Sequence, residues 1–202
     1  MVLNILRPYI VSFLLVFIAM DITIKLPLFL ALKESLSHKQ NKKVIIESMV
    51  FALGLVILFV LVGHYFLLAI GATEADINIA GGILILVLSI IFLVSSEKIT
   101  PLEHNKHLHG LGMFPYTSTL IAGPILLTIS LVNSYTFGIP ASIIALILNM
   151  FPVWLMLEKS EIINRLIGAK GLKSFSKVFK IILSIIAVML IRQGIIAIII
   201  GQ

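Results

Sequence analysis

The sequence predicts an all-α membrane protein: six transmembrane helices arranged as two inverted three-helix repeats, with broken helices in spans one and four. Three observations predict it. Of the 202 residues, 60% are hydrophobic and only 12% charged, about half the ~25% charged fraction of soluble domains. Apolar runs of ~18 residues or more, each long enough to cross a bilayer, recur along the chain and are separated by short polar connectors that are alternately basic and free of Lys and Arg. A proline and an Ile-Gly-Ala triplet each recur at one common offset. Almost no length remains for a soluble domain, so the chain reads as a single transmembrane domain, with repeat one over about 1–97 and repeat two over about 98–202.

The first span covers about 9–32. One Arg precedes it and no small-residue cleavage site follows, which marks a retained span and argues against a signal peptide. A basic loop, 33–43, leads to the second span, about 44–70, which ends at the acidic connector 71–76. The third span is about 77–94. A polar loop, 95–113, precedes the fourth span, about 114–132, and a short turn around Asn133 and Ser134 precedes the fifth, about 136–157. The segment 158–177 is polar and basic and includes an interfacial helix, 161–167, ended by Gly168. The sixth span is about 178–200.

Orientation follows from the loop cations. Lys33, Lys39, Lys42, Lys43, Lys98, Lys106, Lys159, Arg165, Lys170, Lys173, Lys177 and Lys180 fall on one side, against Arg7 alone on the other. By the positive-inside rule the basic loops face the cytoplasm and both termini face outward. A multi-pass protein of the cell (inner or plasma) membrane is expected. The net charge of +6 is thereby a matter of topology, and no nucleic-acid partner is expected. Cysteine is absent, which excludes disulfides, thiol chemistry and cysteine metal sites.

The repeat rests on spacing. Pro27 and Pro124 are 97 residues apart, and Ile70-Gly71-Ala72 recurs as Ile167-Gly168-Ala169 at the same offset. Between these anchors LPLFLAL (26–32) lies against GPILLTI (123–129). Three spans per half force the second half to enter the membrane in the opposite sense. That is the plan of many secondary transporters, whose sites pair broken helices near the midplane.

Candidate site residues cluster at the two breaks. The first-span stretch FIAMDITIKLPLFLAL carries Asp21, Lys25 and Pro27. Each ionised group near a bilayer centre costs roughly 2.5–3.5 kcal/mol on insertion scales, and Pro27 removes a backbone donor. Asp21 and Lys25, four residues apart, share a helix face and can pair. The functional reading is a substrate or ion site; the plain one is a structural ion pair with Lys25 snorkelling toward the cytoplasm. Gly123-Pro124 is the partner break, where proline leaves a carbonyl without its helical donor. Thr117, Ser118 and Thr119, one to two turns earlier, can supply hydroxyls or simply bond back to their own helix. Ala80-Gly81-Gly82 in the third span reads as close helix packing. His64 and Asn149 read as interhelical hydrogen bonds, and Arg192 as a cation snorkelling to the outer surface. His104, His107 and His109 have no cysteine or span carboxylate nearby, so no metal site and no cofactor are expected. No nucleophile–base pair, phosphate loop or nucleotide fingerprint is present, so an enzyme is not expected.

These features together resemble the MarC family of integral membrane proteins, over nearly the whole chain. The family's first-span motif, Asp-Pro-x-Gly-Asn-x-Pro, is matched by Asp21-Ile22-Thr23-Ile24-Lys25-Leu26-Pro27. Its Arg-Ile-Ala-Gly-Gly-Ile-like motif is matched by Asn78-Ile79-Ala80-Gly81-Gly82-Ile83, and its Ala-Gly-Pro-Gly by Ala122-Gly123-Pro124-Ile125. The stretch Leu166-Ile167-Gly168-Ala169-Lys170-Gly171 also looks like the family's. Departures are Ile22 and Ile24 for Pro and Gly, Lys25 for Asn, Ile125 for the second Gly, and Thr119 where a second Pro is common. The resemblance implies a secondary transporter of small polar metabolites such as neutral amino acids, with Asp21, Lys25, Pro27, Thr119, Gly123 and Pro124 around the substrate. Alternatives are an exporter of another, anionic solute, favoured by Lys25, or a non-transporting membrane protein that assembles with a partner. Expected partners are the lipid bilayer, a small-molecule solute and, as an option, further copies of the chain in a homo-oligomer.

Overall fold

The computed structural model of the chain describes residues 2–22, 25–26, 29–30, 38–94 and 121–200. In chain order the helices are α1 (Val2–Met20), α2 (His38–Ala69), α3 (Glu74–Val94), α4 (Pro124–Thr136), α5 (Ile139–Glu158) and α6 (Ser160–Ile200). No strand occurs among the described residues. Four segments are long and apolar enough to cross a membrane: Gln40–Ala69, Glu74–Val94, Ile139–Glu158 and Lys170–Ile200. They correspond to the expected second, third, fifth and sixth spans. At ~1.5 Å per residue, the 21 residues of α3 match a hydrocarbon core of ~30 Å.

The distribution of polarity is that of a lipid-embedded bundle. Leu58, Phe66, Phe151, Ile185 and Ile199 lie on the surface, whereas Ser12, Ser48, Ser89, Ser130, Ser142 and Asn149 are fully buried. In water so continuous an apolar exterior would drive association; in lipid it is the solvated face.

Two boundaries differ from expectation. Asn133 and Ser134 sit inside α4 and are buried, and the chain turns at Phe137 and Gly138 instead. The cause is tertiary: the Asn133 amide donates to the Ser12 main-chain oxygen at 3.5 Å, and the Ser134 hydroxyl donates to the Leu131 oxygen at 2.7 Å while meeting His64 Nδ1 at 3.1 Å. The last helix also begins well before residue 178. It runs from Ser160, is interrupted at Gly168 (φ 69, ψ 165) and resumes. The short helix ending at Gly168 is as expected; the polar residues that follow it are helical.

Gly71 adopts φ 84 and Gly168 φ 69, a left-handed region that side chains with a β-carbon rarely enter. Each precedes the last long helix of its half of the chain. After Gly71, α3 opens with a reciprocal cap: Thr73 N–H and hydroxyl donate to Asp76 Oδ2 at 2.9 and 2.6 Å, and Asp76 N–H donates back to Thr73 Oγ1 at 3.3 Å. Such a box satisfies the amides that the first helical turn leaves without partners.

The most extensive interface is that of α3 with α6, followed by α1 with α5 and by α4 with α3 and α2. A β-carbon on Gly82 would meet Ile191 Cγ1 at 2.7 Å and the Ala187 oxygen at 2.8 Å; one on Gly194 would meet Ile79 Cγ1 at 2.6 Å and the Ala75 oxygen at 2.7 Å. The pairing falls in one helix as it rises in the other, so α3 and α6 run antiparallel. Both helices carry the same Ala-x3-Ile-x2-Gly spacing at the crossing. Gly81 faces the other way, where a β-carbon would meet Val132 Cγ2 of α4 at 2.5 Å. At one end of the bundle Lys42 pairs with Glu158 at 3.8 Å, and the buried Lys180 ammonium donates to the Phe92 oxygen at 2.9 Å. This end therefore gathers the start of α2, the ends of α3 and α5, and the first half of α6.

Candidate functional site

α1 stops at Met20 because Asp21 leaves the helix with φ 36. Asp tolerates this conformation better than most residues but still at a cost, so the surroundings must hold it there. They do: the Asp21 carboxylate is buried and accepts the Ser176 hydroxyl of α6 at 2.7 Å. One turn back, Phe17 packs edge-on against Phe179 with ring centroids 6.2 Å apart. The α1 terminus is thus fastened to α6, one helical turn before the buried Lys180.

Lys25 lies in the helical fragment that follows. Its ammonium folds back to donate to the Met20 main-chain oxygen at 2.7 Å. A cation on the last carbonyl of a helix is favourable, since the helix C-terminus carries the negative end of the dipole.

On the other side stands the second break. Ala122 and Gly123 are non-helical, and α4 starts at Pro124 with Gly123 as its N-cap and no capping side chain. Leu127 N–H donates to the Gly123 oxygen at 3.1 Å, so the amides of Ile125 and Leu126 precede the first intrahelical bond. Thr128 Oγ1 donates to the Pro124 oxygen at 2.9 Å. A β-carbon on Gly123 would lie 3.8 Å from Lys25 Nζ. The two breaks therefore meet: a carbonyl end with its ammonium from the first, an amide end from the second.

Of the residues singled out in the sequence, Asp21, Lys25, Gly123 and Pro124 lie in this region. Pro27 and Thr119 lie outside the described residues, as do Thr117, Ser118, His104, His107 and His109. Ala80, Gly81 and Gly82 stand elsewhere. Gly81 and Gly82 face α4 and α6, and the exposed Ala80 lines an apolar groove of about 300 Å³ among α2, α3 and α4. His64 and Asn149 bridge helices. The Asn149 amide donates to the Phe13 oxygen at 3.1 Å. The Tyr135 hydroxyl donates to the His64 oxygen at 2.6 Å, with the two rings 4.2 Å apart. Because the Ser134 proton is engaged with Leu131, His64 Nδ1 is the donor to Ser134. Arg192 is exposed.

Sequence reasoning missed Ser176 and misplaced Lys180 among the loop cations. Both stand in a basic stretch that reads as surface. Their four-residue spacing, which puts them on one helix face, was the signal that could have found them.

The sequence model of a family described as "MarC family integral membrane protein" matches residues 6–199. The chain is 28% identical over 193 residues to a UPF0056 membrane protein of Buchnera aphidicola subsp. Baizongia pistaciae, covering 90% of this chain and 93% of that one. It is 26% identical to a UPF0056 membrane protein of Methanocaldococcus jannaschii, covering 94% and 97%. It is likewise 26% identical to the UPF0056 inner membrane protein YhgN of Escherichia coli, covering 90% and 92%. No solved structure matches.

Proposed function

The chain belongs to the MarC family of integral membrane proteins, and on that premise we propose that it is a secondary transporter of small polar metabolites, with neutral amino acids as the leading case. The observation that carries the reading is the approach of Lys25 Nζ to the α4 N-cap. A helix N-terminus presents amides and a positive dipole end, and an ammonium beside it repels that end unless an anion lies between them. A solute carboxylate suits that position. The Asp21 carboxylate and the Met20 carbonyl, one residue apart, supply acceptors for a solute ammonium. Alternating access comes from rocking one half of the chain against the other.

The topology proposed for this cycle is six spans in two inverted three-helix repeats, in a cell (inner) membrane, with both termini outside. Three features support it. The positive-φ Gly71 and Gly168 recur at the 97-residue offset. The interface of α1 with α5 has its counterpart in that of α4 with α2, as an exchange of halves requires. The basic segments of α2 and α6 gather at one end of the bundle. The inner-membrane name of the Escherichia coli relative agrees with the location.

One observation favours a second reading, an anionic solute without an ammonium group. Lys25 already occupies the Met20 carbonyl, where an amino-acid ammonium would compete with it. Proteoliposome uptake of labelled glycine, alanine and a panel of organic anions separates the two: amino-acid flux carries the first, anion flux the second. Protein that is folded yet moves none of these solutes points to a non-transporting membrane protein.

A further inference from the structure

The first half of α6 carries a charge and an apolar surface that the bundle does not use. Between 159 and 177 the cations are Lys159, Arg165, Lys170, Lys173 and Lys177, against the single carboxylate of Glu161. All five cations are exposed, and among the described residues no carboxylate pairs with Arg165, Lys170, Lys173 or Lys177. After the bend at Gly168, α6 packs through the buried Leu172, Ser176 and Lys180. Lys170, Lys173 and Lys177 follow at steps of three and four residues, so they share one outer helix face. Before the bend, Ile162 and Leu166 stand one turn apart and are 55% and 80% exposed.

Neighbouring helices set the level of this segment. The Lys180 ammonium reaches the Phe92 oxygen, in the last turn of α3, where that helix leaves the hydrocarbon. At ~1.5 Å per residue, Lys177 and Lys173 lie about 5 and 10 Å further along α6, in the range of a headgroup layer. Sidedness alone requires cations in this region. It does not require them on one helix face, nor an isoleucine and a leucine left bare beside them. Apolar side chains that enter the acyl boundary, with Lys and Arg at the level of the headgroups, are the means by which a helix holds anionic lipid.

We infer that the stretch 160–177 is a binding surface for anionic phospholipid: Arg165, Lys170, Lys173 and Lys177 hold the phosphate-bearing headgroup, and Ile162 and Leu166 enter the acyl boundary. The Arg165 guanidinium can take two phosphate oxygens at once, whereas the lysines act as point charges. The surface requires a bilayer but no transport, so failure of the function proposed above leaves it untouched.

The test uses the full chain, freed of lipid in a neutral detergent. It is titrated with phosphatidylglycerol or with phosphatidylcholine of the same acyl chains, and bound lipid is counted by native mass spectrometry alongside thermal unfolding. Wild type is expected to bind phosphatidylglycerol the more tightly and to melt at a saturably higher temperature in it. Replacing Lys170, Lys173 and Lys177 by Gln should weaken that binding about fivefold per lysine, and replacing them by Arg should preserve it. High salt should erase the preference between the two lipids. Leu166→Gln should weaken the binding of both lipids, and free glycerol phosphate should not raise the melting temperature.

These side chains are exposed, so the variants are expected to fold; single Lys→Gln variants serve if the triple one does not. Equal binding of the two lipids by wild type, or an undiminished preference in the Gln variants, overturns the inference. So does a Leu166→Gln protein that binds both lipids as wild type does, or stabilisation by glycerol phosphate equal to that by the lipid, which would make this a site for free anions.

Discussion

Lys25 and Gly123, 98 residues apart in the chain, stand so close that a β-carbon on the glycine would lie 3.8 Å from the lysine ammonium. That distance is ordinary van der Waals contact, so Gly123→Ala is expected to fold and to retain flux. A longer side chain has to enter the space between the α4 amides and the ammonium. Gly123→Leu is therefore expected to abolish solute flux in proteoliposomes while circular dichroism in detergent keeps its helix content. Full flux from Gly123→Leu would place the solute elsewhere.

The crossing of α3 with α6 predicts a different pattern. Gly82→Ala and Gly194→Ala each drive a methyl group against a main-chain oxygen under 3 Å away, and overpacking of this kind costs about 1–3 kcal/mol. Once one methyl has pushed the helices apart the second costs less, so the double variant should lose less than the sum. Gly54 has nothing within 4 Å of its β-carbon position. Gly54→Ala, in a helix interior, should be neutral or gain up to ~1 kcal/mol. Thermal unfolding in detergent reads all four.

The Asp21–Ser176 bond yields a third prediction. Ser176→Ala leaves a buried carboxylate short of a donor, a loss of about 1–3 kcal/mol, whereas Ser176→Thr keeps the hydroxyl and should recover most of it. At Asp21 itself, Asn tolerates positive φ and Val does not. Asp21→Asn is expected to fold and Asp21→Val to be the least stable substitution at this position. Detergent melting curves and limited proteolysis check the order.

Orientation is open to direct chemistry because the chain has no cysteine of its own. Glu74→Cys, at the exposed start of α3, should react with a membrane-impermeant maleimide added to intact cells. Lys159→Cys should react only after permeabilisation. The reverse pattern would invert the topology.

How far the sequence carried these conclusions differs between features. The long helices were legible because lipid demands continuous apolar runs, and the meeting of Lys25 with Gly123 because ionised groups, glycine and proline are costly in a span and stand out. Asn133 and Ser134 misled for a physical reason. Polarity suggests a turn, yet in α4 their side chains are satisfied by Ser12, Leu131 and His64 from within the bundle. Ser176 and Lys180 were hidden in the opposite way. Among basic neighbours they read as surface, and nothing local announces a hydroxyl bonded to a carboxylate 155 residues away.

The central claim, that a solute is held where the two breaks meet, is tested most directly by uptake of labelled alanine and of an organic-anion panel into proteoliposomes containing wild type or Lys25→Met. The account predicts concentration-dependent flux of at least one solute in wild type, reduced at least tenfold in Lys25→Met of equal abundance and helix content. Equal flux from the two proteins, or none from folded wild type, would contradict it.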